Sequence, residues 1–149
     1  MNVERLREEI EFGLSNLDRI YSHILTFKDA DVDRQILQSA LSYECIGYFN
    51  AIEHLIIRFL KNMGKPVPTG PASHRDTLHL FKNVLKEQGI DSAEDVMRFI
   101  EEMMAFRHVA TKIYGFLLDW NKLKAIVEEV GTMHPLTKEL FTRLLVTLS

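Results

Sequence analysis

The chain has 149 residues, 46% of them hydrophobic, and its formal charge at pH 7 is −3. This length and composition predict one domain over residues 1–149 with an ordinary hydrophobic core. The slightly acidic balance excludes nucleic-acid binding through a global positive field, so any such contact requires a local basic patch.

Helical periodicity predicts two long helices in the first half of the chain. Apolar residues spaced three and four apart predict one helix over Val3–Ile24 and a second over Ile36–Met63. The apolar face of the second helix is expected to include Ile36 and Tyr43. Three prolines within Lys65–Pro71 exclude a helix there and predict a loop.

Polar residues predict where the next helices begin. Asp29 or Asp31 is expected to cap the second helix. The run Ser73–Asp76 has the spacing of a capping box and predicts the start of a third helix. Asp91 or Ser92 predicts the start of a fourth.

The last third of the chain is predicted to hold two shorter helices. The first covers about Trp120–Val130, and Pro135 fits the first turn of the second. The second carries an apolar stripe that can pack on its own bundle or on another subunit: Leu136, Leu140, Leu144 and Leu148. No segment alternates with the period of a strand. The sequence therefore predicts an all-α fold, an antiparallel up-down four-helix bundle with a helical C-terminal extension.

The termini and the cysteine content indicate where the protein resides. Met1–Leu6 mixes acidic and basic residues instead of leading into an apolar run, so no signal peptide is predicted. No stretch approaches the roughly 18 apolar residues that span a bilayer. The single cysteine, Cys45, fits a reducing compartment. We expect a soluble cytoplasmic protein without membrane contact.

A metal centre is not expected. A di-metal helical bundle needs Glu-x-x-His on two helices, and this chain offers only Asp76-x-x-His79. His23 and His134 are predicted to be ordinary exposed residues near helix ends. We therefore predict neither a metal nor another cofactor.

The most informative stretch is Phe106–Gly115, which places Arg107, His108, Lys112 and Tyr114 in an apolar run. Polar groups in such a run cost several kcal/mol unless they are paired. The ordinary explanation is a helix end whose cations lie at the negative end of the helix dipole. On an ideal helix Arg107 and Lys112 lie roughly 140° apart and cannot converge on one phosphate. Two such helices facing across a two-fold axis could pool these groups in one cleft.

This stretch resembles the motif of the HEPN superfamily, and within it of the HepT-like toxin domains. The family pattern is Arg, a polar residue, three more positions, and His-x-Tyr; Arg107, His108 and Tyr114 fill three of its places. Four further segments are similar to HepT-like domains: Ala40–Tyr43, Tyr48–Glu53, Ser73–Asp76 and Gly115–Asp119.

The resemblance implies a helical bundle that forms a homodimer through its motif helices. Many members are metal-independent endoribonucleases, toxins paired with a small nucleotidyltransferase antitoxin. In some pairs the partner transfers AMP to the motif tyrosine. Carried over, Arg107 would bind the scissile phosphate of an RNA substrate and Tyr114 would be the AMP acceptor.

Lys112 stands where the family has its catalytic histidine. Histidine titrates near neutrality, at about 6.5, whereas lysine at about 10.4 stays protonated unless it is desolvated or crowded by cations. Lys112 is therefore a base activated by Arg107 and His108, a fixed charge that stabilises the transition state, or a phosphate clamp. His108 is the other candidate for acid–base catalysis. The alternative function is a degenerate interaction module that binds a nucleotidyltransferase or a nucleotide without cleaving RNA, and a third is a purely structural bundle.

Overall fold

The computed structural model describes residues 1–149 as five α-helices and one short 3-10 turn, without a strand. The elements are α1 (Val3–Phe27), α2 (Arg34–Asn62), α3 (Ser73–Glu87), α4 (Glu94–Ala110), the 3-10 turn (Gly115–Leu117) and α5 (Trp120–Leu148). The predicted all-α class is confirmed. None of these helices combines the length and the apolar composition needed to cross a bilayer.

The central element is α2, which contacts every other helix and the 3-10 turn. It buries side chains along its whole length, among them Leu41, Tyr48, Ile52 and Phe59. A helix that is apolar on several sides is stable only when neighbours surround it. Contacts between α1 and α2, α2 and α4, α4 and α5, and α5 and α1 close a ring of helices, and one core cluster draws side chains from all five.

The helix starts differ from those predicted. Asp33, and not Asp29 or Asp31, caps α2, since its carboxylate accepts from the Gln35 amide at 2.8 Å. No capping box forms at α3, which begins at Ser73 itself after the uncapped Ala72. The amide of Ser73 donates to the carbonyl of Gly70 instead. The proline-rich loop thus supplies the acceptor that the sequence pattern had assigned to side chains.

The start of α4 was also predicted wrongly. The helix begins at Glu94, and no side chain caps it. Gly89 has a φ of 71° and lets the chain turn back so that the amide of Ile90 donates to the carbonyl of Leu85. This turn buries Ile90. Burial of an apolar side chain, rather than capping by Asp91 or Ser92, therefore positions the start of α4.

The predicted break before Pro135 is absent, because α5 is one continuous helix with Pro135 inside it. A proline in a helix interior costs about 3 kcal/mol, since it removes an amide and crowds the preceding turn. Core packing on both sides offsets this cost: Val127 and Val130 are buried before the proline, and Leu140 and Leu144 after it. The C-terminal apolar stripe thus packs largely on its own chain.

The first turns of α2 face in a direction that the periodicity did not predict. Ile36 and Tyr43 are 61% and 75% exposed. The buried positions of this segment are instead Gln38, Leu41, Ser42, Glu44 and Cys45. Periodicity identifies residues that share a face, but it cannot tell which face meets a neighbouring helix.

A buried polar cluster joins α1, α2 and α5, and the prediction that His134 is an exposed residue near a helix end was wrong. Burial raises the pKa of Tyr48 well above its ordinary value, so its hydroxyl keeps its proton and donates to Nδ1 of His134 at 2.7 Å. Nε2 of His134 then donates to Oδ1 of Asp18 at 2.8 Å. Tyr21 stacks on the imidazole, and Lys138 donates to the second oxygen of Asp18. Every polar atom of this cluster therefore has a partner, as buried polar groups require.

Candidate functional site

Arg107 lies in the last turn of α4, where α2 fixes its side chain. Its Nε donates to Oδ1 of Asn50 at 3.0 Å. Asparagine is neutral, and no carboxylate pairs with the guanidinium. The four N–H bonds on the terminal nitrogens of Arg107 therefore remain available to an anion, on a side chain that is already oriented.

One turn further along α2, Glu53 holds a histidine from α3. Its carboxylate, on a residue that is only 9% exposed, accepts from Nδ1 of His74 in a short contact. The ring also packs edge-on against Phe49, with centroids 6.0 Å apart. Because Asn50 and Glu53 are three residues apart, they share one face of α2. This face therefore holds both Arg107 and His74.

These side chains line a groove of about 580 Å³ between the start of α3 and the end of α4. Its charged and titratable lining consists of His74, Arg75, Arg107 and His108 and includes no carboxylate. We refer to it as the basic groove. It is the local concentration of positive groups that a chain with a net charge of −3 requires for contact with a phosphodiester.

Lys112 contacts His108, which lines the basic groove. Nζ of Lys112 lies 3.1 Å from Nε2 of His108, and both side chains are exposed. Since an ammonium can only donate, Nε2 acts as the acceptor and the proton of the neutral ring lies on Nδ1. The two residues thus form one hydrogen-bonded pair, which places a cation beside the imidazole.

Tyr114 lies outside the helix that carries Arg107. Because α4 ends at Ala110, Tyr114 does not continue the helix face on which Arg107 lies. Tyr114 has an extended backbone, is 72% exposed and stacks on Phe116 with centroids 5.6 Å apart. Its hydroxyl makes no hydrogen bond within the chain. The phenol is therefore presented to solvent, near the cationic motif in sequence but off its helix.

The segment after Tyr114 is tied to α2. Gln38 donates through Nε2 to the carbonyls of Phe116 and Leu118, at 3.4 and 2.9 Å. A Cβ on Gly115 would come within 3.0 Å of the Cα of Ser39, so a larger residue would push this segment away. These contacts fix the outward direction of Tyr114.

An exposed apolar surface adjoins this segment. Ile36 and Tyr43 from α2 and Phe116 from the 3-10 turn line a second groove of about 580 Å³. We refer to these three residues as the apolar surface. Val109 and Ile113, within the motif, are exposed as well. Adjacent exposed apolar side chains of this size are typical of a surface that another protein covers.

Four residues of the groove region were not predicted as site residues: Asn50, Glu53, His74 and Arg75. Ser73–Asp76 was interpreted as a cap, and the polar residues of α2 were noted only within a resemblance. The available signal was the pair of polar residues at a spacing of three, Asn50 and Glu53, on an otherwise apolar helix. No three His, Cys, Asp or Glu side chains come together where they could hold a metal ion.

The family comparison covers most of the chain. A family model described as a HepT-like protein matches residues 40–148. Neither a curated protein nor a solved structure matches the chain significantly. The matched span contains all four residues that form the charged and titratable lining of the basic groove.

Proposed function

The chain belongs to the HepT-like protein family, and we propose that it is a metal-independent endoribonuclease toxin with a nucleotidyltransferase antitoxin as its partner. One observation carries the proposal. Arg107 is oriented by Asn50, has no carboxylate partner and faces a groove with two imidazoles and a second arginine. In this proposal the bundle is the up-down four-helix type of the family.

The chemistry is transfer of an RNA phosphodiester to its own ribose. The 2′-hydroxyl attacks the neighbouring phosphorus, the bond to the 5′ oxygen breaks, and negative charge grows on the phosphoryl oxygens. A planar guanidinium with free N–H groups stabilises that charge through two parallel hydrogen bonds. Arg107 supplies this contact, and Arg75 on the opposite wall adds a second cation.

Proton transfer at the groove involves the His108–Lys112 pair. The ammonium of Lys112 donates to Nε2 of His108 at 3.1 Å. A cation at this position stabilises a phosphorane and delivers a proton to a departing oxygen through the imidazole. Two residues therefore supply what one histidine supplies in the family: Lys112 carries the positive charge, and His108 provides the imidazole.

We further propose that two copies pair through the apolar surface and the exposed motif residues Val109 and Ile113. Covering Ile36, Tyr43 and Phe116 removes large apolar side chains from water, at about 25 cal/mol for each Å² buried. Pairing through this face brings the two motif segments together. A dimer thus completes an RNA cleft from two basic grooves.

A second candidate function is supported by the phenol of Tyr114. The exposure and the absent hydrogen bond of this hydroxyl favour a side chain that another enzyme can reach. If this is its role, the domain is an interaction module that does not cleave RNA. Transfer of AMP to Tyr114 would instead silence a domain that acts as a toxin. Replacing Lys112 by histidine separates these two possibilities. Cleavage gained only in Lys112→His supports the degenerate module.

The proposed function is tested by cleavage of RNA in the presence of a chelator. We expect activity in the unaltered protein and its loss in Arg107→Ala. The matched control is Arg98→Ala, because Arg98 lies on the same helix but is exposed and paired with Asp95. Equal loss of activity in both variants, or none in Arg107→Ala, would reject the assigned site.

A further inference from the structure

The basic groove contains two imidazoles, and only one of them belongs to the motif run. His74 comes from α3, 33 positions before Arg107 in the chain. It lines the same groove as Arg107, and its side chain remains 38% exposed. The contact with Glu53 holds the ring of His74 in place, and its exposed part remains accessible to a substrate. A proton-transfer group needs this accessibility.

The carboxylate that contacts His74 determines which ring nitrogen carries the proton. Nδ1 is engaged by the carboxylate of Glu53, and His74 is the only hydrogen-bond partner of that carboxylate. A largely buried carboxylate is stable when it accepts from a proton on Nδ1. With this proton on Nδ1, the neutral ring of His74 has its free lone pair on Nε2. The carboxylate also stabilises the imidazolium that forms when Nε2 takes up a proton.

The same helix face orients the anion-binding group. Asn50 holds Arg107 and Glu53 holds His74, one turn apart on α2. Side chains at this spacing project from points about 5–6 Å apart. A phosphodiester seated on Arg107 therefore lies in the groove that His74 also lines, with Arg107 on the α4 side and His74 on the α3 side.

We infer that His74, positioned by Glu53, is the general base of the ribonuclease reaction and supplies the histidine function that is missing at Lys112. This inference rests on the proposed function. Nε2 of His74 takes the proton of the ribose 2′-hydroxyl as the bond from the 2′ oxygen to phosphorus forms. The bond from phosphorus to the 5′ oxygen breaks, and the His108–Lys112 pair returns a proton to that oxygen. The products are a 2′,3′-cyclic phosphate and a free 5′-hydroxyl, so no other reactant is needed.

The chain contains a natural control for this pair. His23 on α1 contacts Glu44 on α2 through Nδ1 at 3.2 Å, with side-chain exposures of 45% and 12%. The corresponding values for His74 and Glu53 are 38% and 12%. The two pairs are thus alike in chemistry and burial, but His23 does not line the basic groove. A purely structural role for His–Glu pairs predicts similar effects at both sites.

The test combines cleavage and binding by the full chain. Cleavage is measured with chelator present, and binding with the same RNA carrying 2′-O-methyl groups, which cannot be cleaved by this route. We expect His74→Gln to lower kcat by about 100-fold or more, as removal of a general base does. Binding should change by less than about twofold, because a general base acts in the transition state and not in ground-state binding of the RNA. His23→Gln should leave both quantities unchanged.

Chemical rescue separates proton transfer from structure. His74→Gly leaves room for free imidazole, and we expect added imidazole to restore cleavage in this variant but not in Arg107→Ala. Glu53→Gln keeps the size of the side chain but removes its charge, and it should lower kcat with an unchanged KM.

Each negative outcome has its own meaning. Wild-type cleavage by His74→Gln, together with an inactive Arg107→Ala, overturns the role of His74 and leaves the ribonuclease proposal standing. The role of His74 is also overturned if its loss is matched by His23→Gln or resists imidazole. Absence of cleavage by the unaltered protein, while Arg107→Ala weakens binding of the methylated RNA, rejects both the nuclease function and a general base.

Discussion

Asn50 and Glu53, one turn apart on α2, hold two side chains that come from different helices and line the same groove. Asn50 accepts from Arg107, and Glu53 accepts from His74. Arg107 is 57 positions from Asn50 along the chain, and His74 is 21 positions from Glu53. The central helix therefore determines the geometry of a site whose charged groups lie on its neighbours.

The first prediction concerns Asn50. Replacing it by alanine frees the guanidinium of Arg107, and we expect kcat/KM for RNA to fall about tenfold, the equivalent of 1.4 kcal/mol. The free energy of unfolding should fall by about 1 kcal/mol for the lost hydrogen bond. Asn62→Ala is the control, because Asn62 donates to Glu9 at 2.9 Å at the far end of α2. It should lose similar stability and keep full activity; equal loss of activity in both would count against the role of Asn50.

The second prediction concerns the buried cluster around His134. In Tyr48→Phe the acceptor Nδ1 of His134 loses its donor in a buried site. We expect the free energy of unfolding in urea to fall by about 1–3 kcal/mol, the cost of an unsatisfied buried group. Tyr43→Phe removes an exposed hydroxyl and should change it very little. An unchanged midpoint in Tyr48→Phe would show that the hydrogen bond contributes no net stability.

The third prediction concerns a carboxyl pair between α4 and α5. Desolvation and the neighbouring Glu102 raise the pKa of Glu129 to about 7. The folded state therefore holds this proton more tightly than the unfolded state does, and the stabilisation is lost as pH rises from 4.5 through about 7.

Replacing Glu129 by glutamine removes this dependence. We expect Glu129→Gln to raise the free energy of unfolding at pH 8 by about 1 kcal/mol, a figure reduced for the partial exposure of the pair. At pH 4.5 the variant and the wild type should unfold alike. Glu128→Gln, an exposed neighbour, serves as the control. A gain in stability that is equal at both pH values would contradict the raised pKa of Glu129.

The fourth prediction concerns the apolar surface. Tyr43→Glu places a charge where a second copy is proposed to pack, so light scattering should report a monomer while circular dichroism stays unchanged. Phe12 on α1 is also exposed, at 71%, but does not line that groove. Phe12→Glu should therefore leave the dimer intact. A wild-type protein that is already monomeric would reject the proposed dimer.

The sequence was sufficient to predict the all-α class, because apolar spacing records which residues share a helix face. It was not sufficient where contacts between distant residues decide how far a helix extends or which of its faces is buried. Pro135 stays inside α5 because core residues on both sides hold the helix together. Ile36 and Tyr43 line the same groove, but both side chains are exposed instead of packing in the core. Hydrophobic spacing carries no information about which neighbour a face will meet.

The candidate site shows the same limit. Arg107 and His108 line one groove, as a motif of adjacent residues can predict. The contact between His74 and Glu53 joins α3 to α2 across 21 positions, and no local pattern encodes it. Tyr114 lies off the helix of Arg107 because α4 ends at Ala110, and the motif spacing alone does not show where that helix ends. Sequence patterns thus identified residues of the motif but not their partners.

The proposed ribonuclease reaction is best tested by cleavage of an end-labelled RNA by the unaltered protein in excess chelator. The same RNA carrying 2′-deoxy nucleotides is the comparison substrate. We predict products that end in a 2′,3′-cyclic phosphate from the first RNA and none from the second, because the 2′-hydroxyl is the nucleophile. Intact RNA would argue against ribonuclease activity, and equal cleavage of both substrates would argue against the 2′-hydroxyl as the nucleophile.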